Sequence, residues 1–211
     1  MTTVLIVDDH PIVLQGCRRM LQDVGVSEII EARDTAAGYR LFREHNPDVV
    51  IVDLGLQDNG LGGLELIRRI RAHNLNVRIL VFSMHSDPVI VARALQAGAT
   101  GYVVKDTSPE AITEAFQKVR AGRRYLSDEL AMQVAFANTP GQQSPLAELT
   151  PRELQTLSLL AEGKPYTRIA EELNVSYKTV VNLSSQLKQK LDAENLPELI
   201  RAAVQLLSST P

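Results

Sequence analysis

The sequence predicts an α/β fold, a doubly wound five-stranded parallel sheet, followed by a small all-α domain. Two observations lead to this prediction. Over residues 1–121, five short strand-like runs alternate with five helical patterns, and the connections between them are short. From residue 148 onward only helical patterns remain. Strands that alternate with helices in this way form parallel sheets with helices on both faces.

The strands follow from the apolar runs, since a short apolar run bounded by polar residues is typical of a buried strand. The predicted strands are residues 4–7, 28–31, 49–52, 78–82 and 101–104. The helices after them are predicted over residues 11–21, 35–44, 61–72, 88–97 and 109–121. Proline at the start of several helices, with Gly98 and Gly122 after the last two, marks their boundaries.

After Gly122 the pattern changes. A helix is predicted over residues 125–137 with Ser127 as its N-cap, and the polar, turn-rich residues 138–145 indicate a linker. Thr150 and Glu153 have the spacing of a capping box, and Gly163 ends the helix that they begin. Further helices are predicted over residues 166–173, 176–191 and 197–207. We therefore expect one domain over residues 1–121, a linker with a helix over 122–147, and a helical domain over 148–211.

Composition excludes several classes of protein. The chain has 211 residues, of which 45% are apolar, and a net charge of −3. Its single cysteine, Cys17, excludes an internal disulfide and lies at helical spacing among apolar residues, which favours a buried, inert thiol. We find neither a signal-peptide pattern nor a membrane-spanning apolar stretch, so we expect a cytoplasmic protein with no membrane partner.

Charge by itself gives no support for nucleic-acid binding. Residues 148–211 carry seven Lys and Arg against eight Asp and Glu. The distribution of charge along the chain is more informative, because residues 174–191 contain Lys178, Lys188 and Lys190 and no acidic residue.

Residues of catalytic type follow four of the predicted strands. Asp8 and Asp9 follow the first strand, Asp53 the third, Ser83 the fourth and Lys105 the fifth. In a parallel sheet, ligand sites form beyond the carboxyl ends of the strands. Three carboxylates there suit Mg²⁺, which prefers oxygen ligands. Beside such an ion, the Asp53 carboxylate could attack a phosphorus atom while Lys105 and Ser83 contact the transferring group.

Each of these residues is a weak signal when taken alone. A lone Asp at a strand end is most often a turn residue or a helix cap, and a lone Ser or Lys there is usually solvated. Their weight comes from their arrangement, since chance rarely places all of them at the ends of successive parallel strands.

The first domain resembles the flavodoxin-like receiver domain of two-component response regulators of the NarL/FixJ type. The motifs that carry the resemblance are Val7-Asp-Asp-His-Pro11, Asp53-Leu54, Ser83-Met-His85 and Gly98-Ala-Thr-Gly-Tyr-Val-Val-Lys-Asp106. The resemblance implies that Asp53 is the phosphoacceptor and that Asp8 and Asp9 bind Mg²⁺ with it. It also implies that Ser83 and Lys105 contact the phosphoryl group and that Tyr102 is an aromatic switch residue that moves with Ser83.

One segment departs from the family pattern. The residues after Asp53 contain neither the usual Met nor Pro, and the glycine of the family's Gly-Leu-Glu, here Gly63, comes two residues late. This indicates a two-residue insertion beside the active site. Gly55 occupies the position whose backbone carbonyl usually completes the metal site, and a longer glycine-rich loop would hold that ligand less rigidly.

The second domain resembles the LuxR-type helix-turn-helix over residues 149–207. The matching segments are Leu149-Thr-Pro-Arg-Glu153, Ala161-Glu-Gly163, Ile169-Ala170, Leu173-Asn-Val-Ser176 and Thr179-Val180. In that family the helix that begins near Ser176 enters the major groove of DNA. Helical spacing directs a set of polar side chains outward, where they could bind phosphates and base edges: Lys178, Asn182, Ser185, Lys188 and Gln189. The resemblance adds Thr179 to the predicted DNA contacts.

The same helix also departs from the family. At the position of Val181 the family generally has Lys, and at the position of Leu183 it generally has His. Tyr166 and Thr167 replace the family's usual Asn-Lys before the preceding helix. Val181 could contact a thymine methyl group. Alternatively, this helix surface could bind DNA more weakly or serve another function. A solvated helix end is the alternative interpretation of Lys188 and Lys190.

The two resemblances together predict a phosphorylation-dependent DNA-binding transcriptional regulator. A sensor histidine kinase would phosphorylate Asp53, and phosphorylation would favour a homodimer on double-stranded DNA. The protein would not be an enzyme beyond accepting and slowly hydrolysing its own aspartyl phosphate.

Two other classes of function compete with this prediction. Aspartate-nucleophile phosphatases place their nucleophile in Asp-x-Asp on the first strand, which is absent, and no Gly-x-x-x-x-Gly-Lys loop suggests an NTPase. The second competitor is a signalling protein whose helical domain binds another protein. Val181, Leu183 and the acidic charge of the domain are its support.

Overall fold

A computed structural model of the chain describes residues 2–56, 60–137 and 144–207. Five parallel strands form one sheet in the order β2-β1-β3-β4-β5, which confirms the predicted doubly wound sheet. The strands are β1 (Thr3–Val7), β2 (Glu28–Ala32), β3 (Val49–Val52), β4 (Arg78–Ser83) and β5 (Gly101–Val104). Strand β4 is one residue longer than predicted and includes Ser83.

Five helices connect and follow the strands. They are α1 (Pro11–Asp23), α2 (Thr35–His45), α3 (Gly62–His73), α4 (Pro88–Ala97) and α5 (Pro109–Arg120). The side chains of Asp34, Asp87 and Ser108 accept hydrogen bonds from the first turns of α2, α4 and α5. Gly98 and Gly122 follow α4 and α5 with positive φ, as predicted from their positions.

Alternate residues of the central strands face two separate apolar clusters. Leu5 and Val7 of β1 pack with helices α2, α3 and α4, whereas Val4 and Ile6 pack with α1 and α5. All residues of β3 and β5 are buried, as expected for strands covered on both faces. Cys17 of α1 belongs to the second cluster, and burial raises the pKa of its thiol to about 12. This confirms the prediction of a buried thiol.

The helix after α5 begins later than predicted. Helix α6 spans Asp128–Ala137, and the Ser127 side chain accepts a hydrogen bond from Leu130 N at 3.3 Å, which confirms the N-cap. The predicted start at Tyr125 was wrong. Tyr125 is extended instead, and its carbonyl accepts a hydrogen bond from Tyr102 N at the free edge of β5. An edge strand leaves backbone groups unpaired, and Tyr125 satisfies one of them.

The second domain is entirely helical, as predicted. A 3₁₀ turn at Pro145–Glu148 leads into α7 (Pro151–Ala161), α8 (Tyr166–Glu172), α9 (Tyr177–Lys190) and α10 (Leu196–Leu207). Thr150 and Glu153 form the predicted capping box. Most of the predicted linker, residues 138–143, lies outside the described residues, and the domain boundaries stay predictions.

Helix α7 is buried on nearly all sides. It packs on α9 and α10, and its polar residues Thr156 and Ser158 are buried together with its leucines. Burial on nearly all sides means that α7 packs against partners on more than one face. No helix within the described part of the chain is long and apolar enough to cross a membrane.

Candidate functional site

The strand order brings the predicted catalytic residues together at the carboxyl edge of the sheet. Asp8 and Asp53 follow the adjacent strands β1 and β3, and Lys105 follows β5. The Lys105 Nζ atom lies 2.7 Å from Asp8 Oδ2 and 2.7 Å from Asp53 Oδ2. One ammonium therefore bridges two carboxylates.

This triad is buried. The side chain of Asp53 is 4% exposed and that of Lys105 is 7% exposed. Burial alone would lower the pKa of Lys105, but the nearby carboxylates of Asp53 and Asp8 outweigh burial and raise that pKa. Lys105 thus remains a cation beside the candidate phosphoacceptor.

Four residues have ligand atoms close enough to hold one metal ion. The ligand atoms of Asp8, Asp9, His10 and Asp53 all lie within 4.8 Å of one another. The three carboxylates offer hard oxygen ligands, so the residues present fit Mg²⁺. His10 was not among the predicted site residues, and its Nδ1 lies 2.9 Å from Asp9 Oδ1 and 3.2 Å from Asp8 Oδ1. Its position next to Asp8-Asp9 at a strand end was the available signal.

The backbone around Gly55 contacts the same carboxylate. Gly55 N donates a hydrogen bond of 3.2 Å to Asp53 Oδ1, and Leu54 is fully buried. This contact fixes the Asp53 side chain through the amide of Gly55. The predicted metal contact from the Gly55 carbonyl stays a prediction.

Gly63, at the end of the loop after Asp53, has a steric role. Gly63 N donates a hydrogen bond to Leu54 O, and a Cβ at Gly63 would lie 2.2 Å from the Asp53 carbonyl oxygen. Only glycine allows α3 to begin so close to the end of β3. Residues 57–59, which precede this point in the inserted segment, lie outside the described residues.

The predicted switch residues Ser83 and Tyr102 are both buried. Ser83 ends β4, and the Tyr102 hydroxyl donates a hydrogen bond of 2.6 Å to the backbone carbonyl of His85. Burial raises the pKa of Tyr102, so its hydroxyl keeps its proton and remains a donor. The ring is thus tied to the loop between β4 and α4, which starts immediately after Ser83.

The outer face of α9 carries most of the predicted DNA contacts. Lys178, Asn182, Ser185 and Gln189 are exposed, and Lys188 is half-buried. Thr179 is also half-buried, and its hydroxyl lies 2.8 Å from that of Ser176 at the helix start. Val181 and Leu183 are half-buried, so part of each side chain packs against the domain rather than facing outward.

Two contacts of α9 were missed from the sequence. Ser184 is buried, and its hydroxyl lies 2.5 Å from the Tyr166 hydroxyl at the start of α8. Tyr166 thus has a partner on α9, which explains one departure from the family. Lys190 Nζ lies 2.8 Å from Glu153 Oε2, so this lysine joins the end of α9 to the capping box of α7.

Comparisons with known proteins agree with this geometry. The family model described as response regulator receiver domain matches residues 4–117, and the model for bacterial regulatory proteins of the luxR family matches residues 147–203. The chain therefore belongs to the two-component response regulators. Within them it is of the NarL/FixJ type, with a receiver domain and a LuxR-type helix-turn-helix domain.

Individual relatives cover nearly the whole chain. The methanol utilization control regulatory protein MoxX of Paracoccus denitrificans is 42% identical over 199 residues, covering 93% of this chain and 88% of MoxX. RcsB from Salmonella enterica serovar Typhimurium, solved on the promoter rprA with the phosphomimetic BeF3-, is 29% identical with a TM-score of 0.75, and 99% of each chain is covered. A structure of two RcsB dimers bound to two parallel DNAs is also 29% identical, with a TM-score of 0.60 and 99% of each chain covered.

Proposed function

We propose that this chain is a phosphorylation-dependent DNA-binding transcriptional regulator whose phosphoacceptor is Asp53. The observation that carries the proposal is the ammonium of Lys105, which lies 2.7 Å from an oxygen of Asp53 at the edge of a receiver sheet. A carboxylate beside a cation is placed to attack phosphorus, because the cation can neutralise the negative charge that the phosphoryl group brings.

The donor is a phosphohistidine of a sensor histidine kinase. An oxygen of Asp53 forms a bond to phosphorus, and the phosphorus–nitrogen bond breaks with its electron pair returning to the histidine. Asp8, Asp9 and Asp53 would hold Mg²⁺, which when bound neutralises charge on the phosphoryl oxygens. Lys105 and the hydroxyl of Ser83 contact the transferred group, and the acyl phosphate is later hydrolysed slowly.

The signal leaves the site through the end of β4. Ser83 moves toward the phosphoryl group, and Tyr102 changes its packing because its hydroxyl is bonded to His85 in the same loop. Helix α4 follows this loop, so a small displacement at Ser83 is transmitted to a helix surface.

The output is DNA binding through α9. The exposed Lys178, Asn182 and Ser185 contact DNA, with Asn182 reading a base edge and Thr179 and Lys188 contacting phosphates. The structures of RcsB on promoter DNA and of its dimers on DNA support a homodimer on double-stranded DNA. The comparisons do not favour the alternative in which the helical domain binds a protein. Because its DNA partner is in the cytoplasm, we place this protein there too.

Two measurements test the proposal. A small phosphodonor with Mg²⁺ should add one phosphoryl group to the wild type, detected by intact mass, and none to Asp53→Asn. Equal labelling of both proteins would overturn the assignment of Asp53. Genomic fragments recovered with the phosphorylated protein should share a sequence that shifts its mobility in gels, and recovery of random fragments would overturn the DNA-binding role.

A further inference from the structure

Tyr177 is the first residue of α9, the helix through which the protein is proposed to bind DNA. It is 55% exposed, so a large aromatic ring lies open to solvent next to the exposed Lys178. In the described part of the chain, the Tyr177 hydroxyl has no hydrogen-bond partner. The sequence motifs gave this residue no role, yet it combines an exposed ring with an unused donor at the start of the recognition helix.

The ring of Tyr177 is held by a second tyrosine. The ring centroids of Tyr166 and Tyr177 lie 6.1 Å apart with their planes tilted by 57°, which is within the range of favourable aromatic pairs. Tyr166 is itself fixed, because its hydroxyl lies 2.5 Å from that of the buried Ser184. Tyr177 therefore rests on a side chain with little freedom and loses less conformational entropy when it binds a ligand.

The position of Tyr177 indicates the DNA backbone rather than a base edge as its partner. In a helix-turn-helix the first helix crosses the phosphate backbone while the second lies in the groove. Tyr177 contacts Tyr166 of α8, the first of these helices, so it lies on the backbone side of α9. It also lies about three turns before Lys188 on the same helical face, and Lys188 is a proposed phosphate contact. Phosphate oxygens accept hydrogen bonds from tyrosine hydroxyls.

The charges around Tyr177 are compatible with an anionic partner. Helix α9 contains three lysines and no acidic residue. Glu172, which precedes Tyr177 by one short turn of chain, is buried in ion pairs with Lys164 and Arg168. The helical domain as a whole carries seven Lys and Arg against eight Asp and Glu, so charge alone attracts DNA weakly. A neutral donor adds affinity that does not depend on this balance.

We propose that the Tyr177 hydroxyl donates a hydrogen bond to a backbone phosphate of DNA, and that Tyr166 is a positioning residue that holds the Tyr177 ring. This inference rests on the proposed binding of DNA through α9. A neutral donor neutralises no phosphate and releases no counterion, so it differs from a lysine in its dependence on salt. Because the partner is a phosphate, the contact carries no sequence information.

Tyr177→Phe tests the contact, since it removes the hydroxyl and keeps the ring. The full-length phosphorylated protein is titrated by fluorescence anisotropy into a genomic fragment that the wild type recovers and into a duplex of random sequence, over a range of salt concentrations. The Kd should rise roughly tenfold on both duplexes, as expected for a lost hydrogen bond to a charged group. The slope of log Kd against log salt should equal that of the wild type, whereas Lys188→Ala should lower it by about one.

The controls separate the possible failures. Tyr39→Phe removes the same atom from a half-buried tyrosine on α2 and should bind both duplexes as the wild type does. Unchanged affinity of Tyr177→Phe would overturn the proposal. A loss confined to the recovered fragment would show a base contact instead of a phosphate contact, and a reduced salt slope would contradict a neutral one. If the wild type binds neither duplex at low salt, the proposed function itself fails.

A double-mutant cycle tests the positioning role of Tyr166. Tyr166→Phe keeps the ring but removes the bond to Ser184. It should weaken DNA binding several-fold in the wild-type background and have little effect in the Tyr177→Phe background, because the two residues act as one unit. Ser184→Ala breaks the same bond from α9 and should give the same pattern. Equal losses in both backgrounds would show that Tyr166 acts only through the stability of the domain and would overturn its positioning role.

Discussion

Lys105, which follows the edge strand β5, and Asp53, which follows the central strand β3, form an ion pair with Nζ 2.7 Å from Oδ2 and neither side chain more than 7% exposed. The same ammonium is 2.7 Å from Asp8. The sequence predicts Mg²⁺ among these carboxylates, and the structure shows that the Lys105 ammonium already neutralises part of their negative charge.

Lys105→Met should destabilise the fold strongly when Mg²⁺ is removed. Loss of one partner from a buried ion pair leaves an uncompensated charge, which typically costs about 3–5 kcal/mol. Urea unfolding of the variant in a chelating buffer should show a loss of this size. Addition of Mg²⁺ should recover part of it, because the ion would supply positive charge at the same carboxylates. A variant as stable as the wild type in the chelating buffer would contradict the bridging role.

Magnesium should stabilise the wild-type protein, since a ligand that binds only the native state adds RT ln(1 + [L]/Kd), about 2.7 kcal/mol at a hundredfold excess over Kd. Asp9→Ala should abolish this gain, because it removes one of the clustered oxygen ligands. The thermal midpoint measured with and without Mg²⁺ gives the result. Asp106→Ala, a carboxylate outside the cluster, is the control and should keep the gain.

Two adjacent serines of α9 should behave differently. Ser184→Ala removes the buried hydrogen bond to Tyr166 and should lower the free energy of unfolding by about 1–3 kcal/mol. Ser185→Ala removes an exposed hydroxyl and should change stability by less than about 0.5 kcal/mol. Ser185→Ala should instead weaken DNA binding. The reverse pattern would show that the outward face of α9 is assigned wrongly.

The ion pair between Lys190 and Glu153 should make the helical domain sensitive to acid. Burial alone would raise the pKa of Glu153, but hydrogen bonds from Lys190 and Thr150 outweigh burial and lower that pKa. The stabilisation is therefore fully present above the ordinary pKa of glutamate and is lost as the pH falls through the lowered value. Unfolding midpoints from pH 7 down to acid should fall less steeply in Glu153→Gln than in the wild type. Equal slopes would contradict the prediction.

The DNA affinities of two α9 variants should distinguish a phosphate contact from a base contact. Lys188→Ala should weaken binding to all sequences alike and reduce its salt dependence, because a phosphate contact carries no sequence information. Asn182→Ala should narrow the gap between specific and nonspecific DNA by about 1–3 kcal/mol. Fluorescence anisotropy over a range of salt concentrations measures both effects, which should be larger after phosphorylation of Asp53. Identical losses on specific and random DNA for Asn182→Ala would remove it from base recognition.

The elements of the fold were predictable because they depend on local patterns. Short continuous apolar runs and helical patterns with proline, serine and glycine at their ends recur along the first 121 residues. The motifs at Asp8-Asp9, Asp53, Ser83 and Lys105 fall at strand ends, and the topology of a parallel sheet brings strand ends together. Only the start of α6 was wrong by several residues, since Tyr125 pairs with the edge of β5, a contact between distant segments.

The sequence alone determined the class of protein and predicted which of its residues are reactive. What only the tertiary structure decided is how those residues are connected: the bridge of Lys105 between two carboxylates, the bond between Ser184 and Tyr166, and the packing of α7 on Gly60. Each of these depends on distances between segments far apart in the chain. Hydrophobic periodicity specifies which face of a helix is buried, but it does not specify which partner buries it. The contact of α7 with Gly60 therefore depends on the tertiary structure and does not follow from the helical pattern alone.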